Sequence, residues 1–299
     1  MYLALLFEVL ARCVPKLRIY DPSNIFPTSM DRVVRVDDVA YADAVLLDAY
    51  RIDLSIVEKI ATEIRNDALL MLVNAVVGID RCNDVVKQLV DRGFVRTWIP
   101  IDGGVATFAK RGYDDRFLQK VVDVWRKSIV EGPYPIHFNT AYALYTLSKF
   151  VLSHRKGWVV EIGTGLGFST LWLAQVAKEF GSRVLSIDRR CDRVEYARSV
   201  AKELELDDVL EIVCSDAKTY RYEEVDRIVL TFIDGEKSEY LAYLEAVEGK
   251  LVDGATILAH NALSNAYAMK GFLERICSEP YRCIVVATDP AGLAISVRC

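Results

Sequence analysis

The chain has 299 residues, more than one ordinary hydrophobic core serves, so two domains are expected. It is 52% hydrophobic and 26% charged, the composition of a soluble globular protein. Its net charge of -5 weighs against a large nucleic-acid footprint, which needs a basic face.

The N-terminal stretch "MYLALLFEVLARCVPK" lacks a basic leader and carries Glu8 within its apolar run, so a signal peptide is not expected. No uncharged apolar run reaches the length of a membrane span. The seven cysteines form no CxxC pair and no zinc spacing. They read as mostly buried thiols in a reducing, cytoplasmic compartment, with a Cys277–Cys283 disulfide left open. Glutamine occurs only at positions 88, 119 and 175, while Val and Arg abound, a composition that leans towards a thermophile.

The first 111 residues echo the pattern of the second half and read as a small α/β domain. "DDRFLQKVVDVWRKSIVEG" reads as a helix joining the halves, with the boundary near Lys110–Tyr113 and domains over 1–111 and 112–299. From Trp158 the alternation is regular. "WVVEIG", "RVLSID", "VLEIVCSD", "RIVLTFID" and "GATILAHN" are strands, and helical spacing fills the segments between them. That alternation predicts a mostly parallel sheet covered on both faces. "YRCIVVATD" and "GLAISVRC" must pair antiparallel, because the turn between them holds no crossover.

The two halves echo each other. "LRIYDPS" resembles "VLSIDRR", "DAVLLD" resembles "RIVLTFID", and "LLMLVNA" resembles "TILAHNA". "FVRTWIPIDGGVATFAKR" resembles "RCIVVATDPAGLAISVR" at a constant offset of 188 residues. The first domain therefore reads as a degenerate partial duplicate, or as no more than the common look of α/β segments.

The richest stretch is "VVEIGTGLGFSTLWLAQ", a strand ending in Glu161, then Gly163, Gly165 and Gly167, then a helix. Glycines let the backbone turn tightly beside a ligand, and the helix start presents free N–H groups. Asp188 ends the next strand, where a carboxylate can take two ribose hydroxyls. Asp216 ends the third, placed to meet an adenine amino group. All three acids fall at carboxyl ends of strands, where open α/β sheets bind ligands. Phe168 stands where a dinucleotide fingerprint needs its third glycine.

This G-x-G-x-G pattern, with the antiparallel closing pair, resembles the class I S-adenosylmethionine-dependent methyltransferases over roughly residues 132–299. "VEIGTGLGFSTLWLA", "FIDGEKSEYLAYLE" and "GATILAHNAL" resemble the catechol and caffeoyl-coenzyme A type O-methyltransferases. The resemblance implies a Rossmann-like fold with a mostly parallel seven-stranded sheet whose last strand is antiparallel. It implies S-adenosylmethionine as cofactor, a small-molecule hydroxyl as acceptor and O-methylation as the reaction. It carries cofactor contacts onto Glu161, Gly163, Gly165, Gly167, Ser169, Asp188, Asp216 and Asp234. Lys237 inherits a part in deprotonating the acceptor.

In that family the Asp234 position binds a divalent ion and a later "DN" pair follows. Here His260 replaces the acid and Asn261 is retained. The implied ligand set is Asp234, His260 and Asn261. Alternatively the site is metal-free, with His260 as general base near its natural pKa. Plain structural roles stand beside these: a helix cap for Asp234, a solvated charge for Lys237, a packing histidine for His260. In "EGPYPIHFNTAYALYTL", Tyr134, His137 and Asn139 are acceptor-pocket candidates, with Asn139 as helix N-cap the plainer role. Alternatives are an RNA or protein methyltransferase recognising its target through the first domain, or a non-catalytic cofactor-binding or homodimerising protein. No membrane partner is expected.

Overall fold

The computed structural model describes residues 2–26, 32–76, 79–101 and 103–299. Helix α1 (Tyr2–Cys13) leads into β1 (Leu17–Tyr20), β2 (Val33–Arg35), β3 (Ala44–Asp48), α2 (Leu54–Glu63), β4 (Leu69–Val73), α3 (Ile79–Asp91), β5 (Phe94–Ile99) and β6 (Val105–Lys110). Then follow α4 (Asp115–Glu131), α5 (Phe138–His154), β7 (Trp158–Ile162), α6 (Phe168–Phe180), β8 (Arg183–Asp188), α7 (Cys191–Glu203) and β9 (Leu210–Cys214). The chain closes with β10 (Ile228–Ile233), α8 (Tyr240–Glu248), β11 (Leu251–His260), α9 (Lys270–Ile276), β12 (Tyr281–Val286) and β13 (Leu293–Arg298). Among these helices none is long and apolar enough to cross a membrane.

The strands form two sheets, ordered β2-β1-β3-β4-β6-β5 and β12-β13-β11-β10-β7-β8-β9. In the second sheet β9, β8, β7, β10 and β11 run parallel, and β13 is antiparallel to both β11 and β12, as the short turn demanded. The chain steps outward from β7 to β8 and β9, then returns to the other side of β7 with β10. The crevice beyond the carboxyl ends of β7 and β10 is thus the switch point where such sheets bind ligands.

The first sheet has the second's order with its outermost strand, β9, removed, so that β1 stands in the place of β7 and β2 in that of β8. The sequence likeness had set "LRIYDPS" against β8, one strand away from its topological place. Elsewhere the correspondence is close. Ala75 N–H donates to Gly104 O at 3.1 Å and Val76 N–H to Gly103 O at 2.9 Å; Ala262 donates to Gly292 O at 3.3 Å and Leu263 to Ala291 O at 2.9 Å. Asn74 and Asn261, 187 residues apart, both take the left-handed conformation, at φ 56° and 66°. The Asp102 position of the likeness lies outside the described residues.

Strand β6 ends at Lys110 and α4 begins at Asp115, and the two sheets do not have separate cores. One buried cluster runs from Leu6 and Val9 of α1 through Ile19, Met71 and Val105 of the first sheet. It continues into Leu144 of α5, Trp172 of α6, and Val159, Leu258 and Ile295 of the second sheet. Helix α1 packs on β11, β12 and β13, the second sheet, while α5 packs mainly on β5 and β6, the first, and also touches β10 of the second. Each of these helices ends three residues before the strand it leads into. The exchange is reciprocal, the pattern of an isologous dimer carried within one chain. The outer faces are covered separately, by α2 and α3 on one side and α8 and α9 on the other.

At the centre Trp172 is fully buried and meets Tyr113, Phe117, Tyr142 and Tyr145 edge-on. Such a ring adds directional contacts to the area it removes from water. The link between halves is pinned there, since Gly112 N–H donates to the Tyr145 hydroxyl at 2.8 Å. Two disulfides, Cys191–Cys214 and Cys277–Cys283, correct the expectation of mostly free thiols; Cys13, Cys82 and Cys299 are unpaired.

Candidate active site

A cavity of about 460 Å³ opens at the switch point. The glycine turn (163–166) forms one wall, Asp188 to Arg190 with Arg193 a second, and Asp234 to Lys237 a third; residues 133–136 cover it. The turn keeps its shape for local reasons. Gly163 has φ +103°, and a Cβ there would lie 2.4 Å from the carbonyl oxygen of Asp234. Only glycine lets the ends of β7 and β10 approach so closely. A Cβ on Gly165 would strike the Pro133 ring at 2.8 Å.

Glu161 does not reach the cavity. Its carboxylate is wholly buried and accepts hydrogen bonds from the hydroxyls of Ser169, Thr170 and Ser186. Burial pushes its pKa up to about 7, against the pull of those three donors. It ties the start of α6 to β7 and β8 from behind, so it shapes the turn rather than contacting a ligand there. Ser169 lines the cavity while its hydroxyl serves Glu161.

Asp188 lines the cavity as expected. One oxygen accepts the Gly165 N–H at 2.8 Å and the other the Arg190 N–H at 2.9 Å, which fixes the carboxylate against the glycine turn. Each oxygen retains a lone pair for a further donor. Asp216 is less direct. Its neighbours Ser215 and Ala217 line the cavity, whereas its own carboxylate accepts from Lys218 N–H at 3.0 Å. The Cys191–Cys214 bridge joins the start of α7 to the end of β9, stapling together the loops that carry these two acids.

At the end of β10, Lys237 Nζ donates to Asp234 Oδ1 at 3.0 Å and to Gly235 O at 2.9 Å. Behind them stands His260, the last residue of β11, 7% exposed and not part of the cavity wall. Its Nδ1 is 3.4 Å from Asp234 Oδ1, an ion-pair contact without hydrogen-bond geometry. Its Nε2 is 3.0 Å from Asp289 Oδ2 and bonded to it. Burial alone would lower the His260 pKa, but the two carboxylates outweigh it and raise it to about 9. The two carboxylates thus favour the charged, imidazolium form of His260. Asp289, despite burial, is held well below the usual carboxylate range by His260 and Thr140.

Asn261 turns away, its amide donating to Ser264 Oγ at 3.3 Å. Among the described residues no group of three or more His, Cys, Asp or Glu side chains is placed to hold a metal ion. Tyr134, 86% exposed, lies on the cavity's cover. His137, not Asn139, caps α5, accepting the Asn139 N–H. Asn139 instead brackets the backbone of Trp98, accepting from its N–H and donating to its carbonyl, both at 2.8 Å. Asp289 was read only as part of a hairpin turn. An Asp-Pro turn at the ligand-binding edge of the sheet was its only sequence signal.

Residues 160–262 match the methyltransferase domain family model. A curated relative, catechol O-methyltransferase from Mycobacterium tuberculosis, is 30% identical over 134 residues, 41% of this chain. The match spans 60% of that relative's length. The O-methyltransferase from Bacillus cereus, solved with S-adenosylhomocysteine (SAH), shares the fold at TM-score 0.54 and 21% identity, covering 62% of this chain and 92% of its own. TomG from Streptomyces achromogenes, an O-methyltransferase of tomaymycin synthesis solved with S-adenosylmethionine, matches at TM-score 0.54 and 17% identity, covering 62% and 91%. These likenesses show the fold.

Proposed function

We propose that this chain transfers the methyl group of S-adenosylmethionine to a hydroxyl oxygen of a small molecule. The observation that carries the reading is the cavity itself. It sets a fixed carboxylate, Asp188, against the glycine turn on one side and the Asp234–Lys237 pair on the other. The relatives solved with S-adenosylmethionine or its demethylated product support the choice of cofactor. Asp188 would take the ribose hydroxyls with its remaining lone pairs, and Ser215 and Ala217 would flank the adenine. We read residues 1–111 and 112–299 as two domains sharing one core.

The sulfonium supplies an electrophilic methyl carbon, so the protein's part is orientation and charge placement. Lys237 spends two of its three N–H donors on Asp234 and Gly235. The third can hold the acceptor oxygen, where negative charge develops as the hydroxyl proton leaves. The proton would pass to the second oxygen of Asp234, a carboxylate that His260 and Lys237 keep ionised against burial. Tyr134 would cover the acceptor's apolar face.

The residues present do not fit a divalent ion. His260 lies between Asp234 and Asp289 rather than beside them, both its nitrogens face carboxylates, and Asn261 faces Ser264. Titration calorimetry with SAH tests the cofactor assignment. Micromolar binding that is unchanged by EDTA and lost in Asp188→Ala is expected, and failure to bind would defeat it.

A further inference from the structure

The first domain has no part in the chemistry above, yet one line of polar contacts runs from it to the candidate active site. It begins at Trp98 on β5, whose backbone is bracketed by the Asn139 side chain. Asn139 also donates to Thr288 O at 2.5 Å, just after β12. Thr140, fully buried, bonds the Thr288 hydroxyl at 2.8 Å and donates to Asp289 Oδ2 at 2.6 Å. The same Asp289 oxygen meets His260 Nε2, while its other oxygen accepts the N–H groups of Ala291 and Gly292 at 2.8 and 3.0 Å. His260 then faces Asp234, which holds Lys237.

We propose that the first domain acts as a built-in second subunit that completes the site. Through Trp98 and Asn139 it fixes the β12–β13 turn, so that Asp289 and Thr140 hold His260 behind Asp234. Asn139, Thr140 and Asp289 are then positioning residues, touching neither cofactor nor acceptor. Three features support this. Asp289 has both oxygens filled by fixed donors and is 5% exposed, so the turn has one place to sit. Asn139 is the hinge of the contact, reaching β5 of one sheet and the β12–β13 turn of the other from the first turn of α5. The domains' reciprocal packing carries the contact across the shared core, the geometry in which one subunit of a dimer braces its partner's site. A misplacement of about 1 Å away from the reacting atoms can cost on the order of 100-fold in rate.

The catalytic part of this role rests on the proposed methyl transfer, whereas the bracing of His260 does not. The test uses the full chain with Asn139→Ala, Thr140→Val and Thr140→Ser. The chain has three histidines, so the imidazole signals of His260 can be assigned by nuclear magnetic resonance through their loss in His260→Gln. Expected are displaced His260 signals in Asn139→Ala and Thr140→Val, near-native signals in Thr140→Ser, and SAH affinity within twofold of the parent throughout. With catechol as probe acceptor, kcat should fall roughly 10- to 100-fold in the first two, as for outer partners of other sites, and recover in Thr140→Ser. Unmoved His260 signals in folded Asn139→Ala would overturn the proposal, as would loss of SAH binding in step with kcat. A parent protein inert towards catechol would count against the methyl-transfer reading, and the His260 signals would still decide the bracing.

Discussion

Glu161→Gln separates a turn-shaping acid from a ligand-binding one. The parent carboxyl has its pKa raised by burial from 4.5 to about 7. In the unfolded chain it ionises first, so between these values the unfolded state binds fewer protons than the native state. Stability from this group is therefore fully present below pH 4.5 and lost as pH rises to about 7. A displacement of that size costs on the order of 3 kcal/mol once both states are ionised, at about 1.4 kcal/mol for each pH unit. Glutamine keeps the shape, and the hydroxyls of Ser169, Thr170 and Ser186 can rotate to serve its amide. Urea unfolding of parent and variant at pH 5 and pH 8 measures the effect. The stability of Glu161→Gln relative to the parent should rise by about 2–3 kcal/mol from pH 5 to pH 8, with SAH affinity little changed. A difference independent of pH, or SAH binding lost with the charge, would refute the reasoning.

Four further outcomes are expected. Gly163→Ala should abolish SAH binding and lower the melting temperature, because the added carbon would meet the Asp234 backbone and φ +103° disfavours it. His260→Gln should cost about 3–5 kcal/mol by removing the cation that Asp234 and Asp289 share, read as a drop in thermal stability. Trp172→Ala should cost about 3–5 kcal/mol while leaving SAH affinity within severalfold, since the ring does not line the cavity. Replacing Cys191 and Cys214 by serine should lower stability by about 3 kcal/mol for a bridge of sequence separation 23, and weaken SAH binding because the staple joins the Asp188 and Asp216 loops.

Much of the second half was legible because its signals are local. A continuous apolar run makes β7, three glycines break it into a turn, and Asp188 ends the following strand at a fixed distance. The closing hairpin followed from a turn too short for a crossover. What stayed hidden depends on partners distant in sequence. Asp289 gains its meaning from Thr140, 149 residues away. Cys191 meets Cys214 only because β9 lies beside β8. Glu161 stands at the right place in the chain, but its side chain points to buried hydroxyls, a choice of strand face that spacing did not reveal. Helix α1 shows an amphipathic pattern without saying which sheet it covers, and it covers the second. His260 was seen as a departure from the usual acid, and its charge came only from two carboxylates brought together by folding.

The central claim is methyl transfer to oxygen at the Asp234–Lys237 pair. The most direct measurement incubates the full chain with methyl-labelled S-adenosylmethionine and catechol, then locates the label by mass spectrometry. An O-methylated product is expected that forms in the presence of EDTA and falls at least tenfold in Lys237→Ala without loss of SAH binding. Unlabelled catechol beside bound cofactor, or label transferred equally well by Lys237→Ala, would contradict it.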